Sequence, residues 1–268
     1  MMRPAMCLPL WTGQPPDCTQ MIMCPFAGGS SSAFRPWRDR RIAPVNLSLA
    51  TWPGRDRLHH QPLVNSIHTL ADRLAQELLE TCPADTPLLL AGHSMGAQVA
   101  FETCRLLEKA GRPPRGLVIS GCHAPHLRAE RQLSHRDDEG FIDQLVDIGG
   151  CPAELRENQA LMALFLPLLR ADFLATERYH YPENAVCQPI NTPALLLCGS
   201  RDREASWQQV NAWRPWLTQA QGPVVLEGDH FYPTQQPEAF FAQIERYFPD
   251  AFSAAGHGPA PRSHFERW

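Results

Sequence analysis

The sequence predicts an α/β protein: a mostly parallel sheet with helices on both faces and a helical insertion. Three observations predict it. Short apolar runs alternate with amphipathic stretches along most of the chain, the pattern of strands joined by crossover helices. Gly, Pro and polar turn residues close most of these runs. Between Ser120 and Pro193 the alternation stops, and residues 137–178 read as helices with no strand between them.

Each element has its own signal. Residues 21-MIMC-24 read as a buried strand ended by Pro25. The Gly/Ser loop 25-PFAGGSSSAF-34 follows and can open a helix near Ser31 or Ser32. Residues 45-VNLSLA-50 alternate as a strand and lead into the turn 52-WPGRDR-57. Ile67, Leu70, Leu74 and Leu78 recur at helical spacing behind Ser66, a helix cap. Residues 88–91 are a strand, and 97–110 a helix stopped by Gly111. Further strands are 116-GLVIS-120, 194-ALLLC-198 and 224-VVLE-227, with a final helix over about 237–248. The insertion, about 124–186, carries Phe141, Leu145 and Ile148, then Leu161, Leu164, Phe165 and Leu168 at helical spacing. It is the natural place for a lid. Residues 1–252 form one domain, and the Gly/Pro-rich stretch 253–268 is expected to be a disordered tail.

Composition narrows the function classes. A net charge of -4 argues against nucleic acid as the main partner. No uninterrupted apolar run reaches membrane-spanning length, and the proline-broken start is too short for a signal peptide. Nine cysteines without C-x-x-C pairs fit a reduced, cytoplasmic protein better than a disulfide framework. A monomer is expected, because no long apolar surface element is left over.

The stretch 89-LLAGHSMGAQVAF-101 carries the chemistry. G-x-S-x-G alone is a weak signal. Here it follows an apolar strand and precedes a helix, the setting of a nucleophile elbow. Such a turn strains Ser94, and Gly92 and Gly96 keep its surroundings clear. A Gly-bounded helix cap is the bland alternative. A nucleophilic serine needs a base, and in this arrangement the acid and histidine follow it in chain order. Of eleven histidines, His230 fits best, in a loop just past a strand end. Asp202, in 199-GSRDRE-204, is the candidate acid, with Glu204 and Asp229 as competitors. The amides of Met95 and Ala27, the latter in 25-PFAGGS-30, are the candidate oxyanion donors, with Phe26 next. His123 and His126 attract no further ligands, so no metal site is expected.

Five stretches together resemble a known family: 25-PFAGGSSSAF-34, 53-PGRDRLHHQP-62, 90-LAGHSMGAQVAFE-102, 167-PLLRADF-173 and 230-HFYP-233. They resemble the type II thioesterases that accompany nonribosomal peptide and polyketide synthases. The resemblance implies an α/β-hydrolase fold with a helical lid, a Ser94–His230–Asp202 triad, and an oxyanion hole from Ala27 and Met95. It implies acyl or peptidyl carrier proteins as partners, and no cofactor beyond the phosphopantetheine that belongs to the substrate. A siderophore pathway is one such setting. Arg203 and Asp229 depart from the family pattern, which has proline and glycine there. Within the lid, Arg170 and Asp172 are expected to pair, and Arg128, Arg131 and Arg136 are either carrier contacts or a solvated face. A small-molecule carboxylesterase, an acyltransferase and a catalytically silent scaffold are the rival readings.

Overall fold

The structure, a computed structural model, describes residues 5–12, 18–38, 45–150, 159–182 and 188–252. The predicted tail, 253–268, and parts of the predicted lid lie outside the described residues. Among the described residues, seven strands form one sheet in the order β1-β3-β2-β4-β5-β6-β7. They are β1 (Cys7–Trp11), β2 (Gln20–Cys24), β3 (Asn46–Ala50), β4 (Leu88–His93), β5 (Gly116–Ser120), β6 (Ala194–Gly199) and β7 (Ala220–Leu226). β1 runs antiparallel to β3, and every other pairing is parallel.

Two strands depart from the sequence reading, and both departures contain a proline. β1 is an element the sequence does not announce, because Pro9 breaks its apolar run. β7 begins at Ala220, upstream of the Gly222-Pro223 pair that reads as a breaker. Both strands sit at the edges of the sheet, the place where a sheet tolerates proline, because one side of the strand has no ladder to break. Each also carries a register shift in its own pairing or in its neighbour's, at Pro9/Trp11 and at Leu195/Leu197.

Alternate residues of the central strands feed two separate cores. Ile22, Leu90, Leu117, Ile119 and Leu196 pack on one face with residues of α2 (Ile67–Thr81) and α3 (Met95–Lys109). Met21, Met23, Leu89, Val118 and Leu197 pack on the other, with Trp37 of α1 (Arg35–Arg38) and Phe240, Phe241 and Ile244 near the C-terminal end of the domain. This strict alternation is what a parallel sheet covered on both faces requires. The predicted cap holds: the Ser66 hydroxyl accepts the Thr69 N–H at 3.2 Å.

The insertion between β5 and β6 contains α4 (Asp138–Ile148) and α5 (Gln159–Arg178). These have a small core of their own, Leu133, Phe141, Leu145 and Met162. Leu168 is buried, but Leu164 is 75% and Phe165 48% exposed. The apolar stripe of α5 is therefore wider than the face it buries. The short helices α6 (Trp207–Asn211) and α7 (Tyr232–Gln235) follow β6 and β7, and α8 (Pro237–Tyr247) and α9 (Pro249–Phe252) close the described chain.

Candidate active site

Ser94 lies between β4 and α3 with φ 55 and ψ -124, a backbone conformation that non-glycine residues seldom adopt. The two glycines around it are demanded by close approach. A Cβ on Gly92 would lie 2.2 Å from the Gly96 carbonyl oxygen, and one on Gly96 would lie 2.0 Å from that of Cys24. The Ser94 N–H donates to the Ser120 carbonyl at 2.9 Å, which fixes the turn to β5. Its side chain makes no capping hydrogen bond, so the hydroxyl is not serving as a helix cap.

The structure brings His230 and Asp202 together. The His230 Nδ1 lies 3.0 Å from both carboxylate oxygens of Asp202, whose side chain is fully buried. Asp202 is itself fixed by the Glu204 and Ala205 amides, at 2.9 and 3.0 Å. Burial pushes the Asp202 carboxyl up, but hydrogen bonding and charge from His230, helped by His93 and the Glu204 amide, hold it below its ordinary value. The competing acids are engaged elsewhere. Glu204 pairs with Arg131 at 3.0 Å, and Asp229 accepts the Phe231 N–H at 2.8 Å. Asp229 is exposed and Arg203 is exposed, so both departures from the family pattern point away from the packed interior.

Ser94 and His230 open onto the same cavity, which Ala27 and Met95 also line. It encloses about 790 Å³ of space, part of it open solvent. Leu169 and Phe173 of α5 form its wall on the lid side.

Sequence reasoning missed a support beneath His230. The His93 ring is buried and lies 2.6 Å (Nε2) from the His230 carbonyl and 2.9 Å (Nδ1) from Ser120 Oγ. A carbonyl only accepts, so Nε2 carries the proton and Nδ1 accepts from the Ser120 hydroxyl. The Tyr232 hydroxyl contacts Ser120 in turn. Burial, and then the charge of His230, push His93 down to about 3, so this ring stays neutral. The visible signal was a histidine just past an apolar run, beside the serine.

The lid contacts also differ from expectation. Asp172 does not pair with Arg170. It pairs with Arg55 of the PGRD turn, while Arg170 pairs with Asp138 and lies over the Phe141 ring. Residues two apart on a helix point away from each other, which is why the expected pair does not form. Arg131 is engaged by Asp147 at 2.6 Å as well as by Glu204, and is therefore not a free cation of the lid surface.

Comparison with known proteins agrees with this architecture. The chain superposes on YbtT, the type II thioesterase from the yersiniabactin NRPS/PKS pathway, with a TM-score of 0.90 and 67% identity, covering 93% of this chain and 100% of that one. RedJ, a thioesterase from the prodiginine pathway in Streptomyces coelicolor, gives a TM-score of 0.78 at 29% identity, over 92% and 90% of the two chains. The probable anguibactin biosynthesis thioesterase AngT of Vibrio anguillarum is 42% identical over 225 residues, which is 83% of this chain and 88% of AngT. The thioesterase domain family model matches residues 19–248, and this chain belongs to that family.

Proposed function

We propose that the protein hydrolyses acyl groups held as thioesters on the phosphopantetheine arm of carrier proteins, clearing stalled or wrongly loaded carriers in nonribosomal peptide or polyketide synthesis. The observation that carries the chemistry is the Asp202-bound ring of His230 opening onto the same cavity as the strained Ser94. The likeness to YbtT and AngT, whose names place them in the yersiniabactin and anguibactin pathways, supports the carrier-bound substrate and a siderophore setting.

In this reading His230 removes the Ser94 proton as Ser94 attacks the thioester carbonyl. The oxyanion forms against the amides of Ala27 and Met95, the second at the start of α3 where the helix dipole favours negative charge. His230 then protonates the departing pantetheine thiol. Water, deprotonated by His230, attacks the acyl-enzyme and releases the acid. Asp202 keeps the proton on Nδ1, so Nε2 is free to act as base. The scheme draws on no metal or redox cofactor. Cys7, Cys24, Cys82, Cys104, Cys122 and Cys198 form no disulfide, which suits a cytoplasmic enzyme. None of the described helices is long and apolar enough to cross a membrane.

The test is to load a carrier protein with acetyl-phosphopantetheine, add the enzyme and follow the carrier by intact mass. Loss of acetyl from the carrier, faster than hydrolysis of a simple acetyl ester at equal concentration, is expected. Preferential cleavage of the free ester, with the carrier left loaded, would replace this reading by that of a small-molecule esterase.

A further inference from the structure

The two motifs that marked the family resemblance most specifically, the PGRD turn and the LRAD helix, meet in one contact. Arg55 and Asp172 lie 117 positions apart, and their side chains are 5% and 1% exposed. The pairing is bidentate: Nη1 to Oδ2 and Nη2 to Oδ1, both at 2.7 Å. Buried charges are costly, and apolar side chains of similar volume would hold a lid in place at least as well. Adhesion alone does not account for this pair.

What the charges do, and apolar groups cannot, is hold a particular piece of backbone. Asp172 Oδ2 also accepts the Gly28 N–H at 2.8 Å, and Arg55 Nη1 also donates to the Gly29 carbonyl at 3.2 Å. Between these bonds sits a tight turn. The Gly29 N–H donates to the Phe26 carbonyl at 2.8 Å, and Gly28 has φ +78. That is the pattern of a type II turn with Ala27 at its first central position. The turn rests against the lid helix, because a Cβ on Gly28 would come within 2.5 Å of Leu169 Cδ2. Beyond the turn, Asp56 accepts the Ser31 N–H at 3.0 Å and its hydroxyl at 2.7 Å. The PGRD turn and α5 thus grip the loop of Ala27 from two sides.

We propose that Arg55 and Asp172 are positioning residues of the reaction: they hold the Ala27 turn, so that the oxyanion site is complete only while α5 is seated on it. This rests on the reading of Ser94 as nucleophile and of Ala27 as an oxyanion donor. The pair touches no reacting atom and acts through the turn. Its loss should therefore lower kcat and leave KM nearly unchanged.

Two variants test this. Asp172→Asn keeps one acceptor oxygen of the two. Arg55→Met with Asp172→Leu removes both charges together and avoids stranding one of them in the interior. Each is checked for a wild-type far-UV spectrum and a cooperative thermal transition. Each is then assayed with an acyl-pantetheine thioester, with a trifluoromethyl ketone analogue that adds to the serine, and with an unreactive thioether analogue. The expected loss of kcat is about 10-fold for Asp172→Asn and about 100-fold for the double variant, the scale of a misplaced oxyanion donor. Affinity for the ketone should fall in parallel, and affinity for the thioether should hold within about 3-fold, because only the ketone builds an oxyanion. A folded double variant with wild-type kcat would overturn the proposal. So would equal losses for ketone and thioether, which mark a disordered pocket. Ser94→Ala run alongside separates the two claims: turnover by that variant would overturn the nucleophile assignment beneath the proposal.

Discussion

The sheet-borne and lid-borne halves of the cavity are built by different means. On the sheet side, Ser94, Asp202 and His230 stand just past the C-terminal ends of β4, β6 and β7, where strand register and a strained turn fix them. On the lid side, Leu169 and Phe173 are placed by polar side chains reaching across the molecule. Asp172 grips Arg55, Glu177 accepts the Leu133 and Ser134 amides at 2.6 and 3.0 Å, and Arg131 reaches Glu204. The difference teaches that the proposed reacting groups are fixed by backbone geometry, while the lid-side wall is set by side-chain contacts. Even the charge pairs that tie the lid to the rest of the domain differ. The Arg55–Asp172 pair is dry, whereas Arg131 is 27% exposed, so the lid has a tight end and a loose end.

The largest break in this comparison is expected on the sheet side. Asp202→Asn leaves the shape of the site and removes the carboxylate that fixes the proton on His230 Nδ1. The kcat for thioester hydrolysis should fall by about 10³- to 10⁴-fold with KM little changed, by analogy with the same change in serine proteases. Steady-state kinetics on an acyl-pantetheine substrate measure it. A loss under 10-fold would mean that Asp202 does not orient the base.

A second effect separates the halves by pH. His93 ends β4, and burial followed by the charge of His230 pushes it down to about 3. His123, just past β5, is pushed down to about 4 by burial and then by His180. Both titrate near 6.5 when unfolded. As pH falls below about 6.5 the unfolded chain takes up protons that the folded chain refuses, so stability declines until pH reaches the folded values. Between pH 7 and 5 each histidine should contribute about 2 kcal/mol to that decline. The Asp202 carboxyl, also held below its ordinary value, acts in the same direction, but its contribution fades only below about 3.9, outside this window. Urea unfolding at the two pH values, with His93→Gln for comparison, reads the effect. An unchanged pH slope in the variant would contradict the neutral ring inferred for His93.

The smallest effect belongs to the loose end of the lid. Arg131→Gln removes partly exposed ion pairs of the kind worth about 1 kcal/mol or less. KM should rise by about 2- to 5-fold with kcat unchanged. A drop in kcat comparable with that of the Arg55/Asp172 variants would erase the distinction between these charge pairs.

The same division explains what could be read from the chain alone. The elbow, the strand ends and the Ser66 cap depend on neighbours within a few residues, so the pattern 90-LAGHSMGAQVAFE-102 shows them. His230 was legible as the histidine just past a strand. Asp202 was the favoured acid over Glu204 and Asp229, and in the packed loop it is the carboxylate that meets His230 Nδ1. The edge strands were obscured because Pro9 and Pro223 read as breakers, and nothing local says that a strand is an edge. The Arg55–Asp172 contact was invisible as a pair although both its motifs stood out. Its partners are far apart in the chain, and the nearer choice, Arg170, was sterically wrong. The His93–Ser120–Tyr232 chain was hidden for the same reason, since its three members lie on different elements.

The central claim is that Ser94 carries the acyl group between attack and hydrolysis. The most direct test is to mix the enzyme with an acetyl-pantetheine thioester, quench in acid within the first turnover and weigh the intact protein. The account predicts a species heavier by one acetyl group. Peptide mapping should place it on Ser94, and it should be absent from Ser94→Ala. Wild-type turnover with no acetylated protein at any quench time, or an acetyl group mapped to another residue, would contradict it.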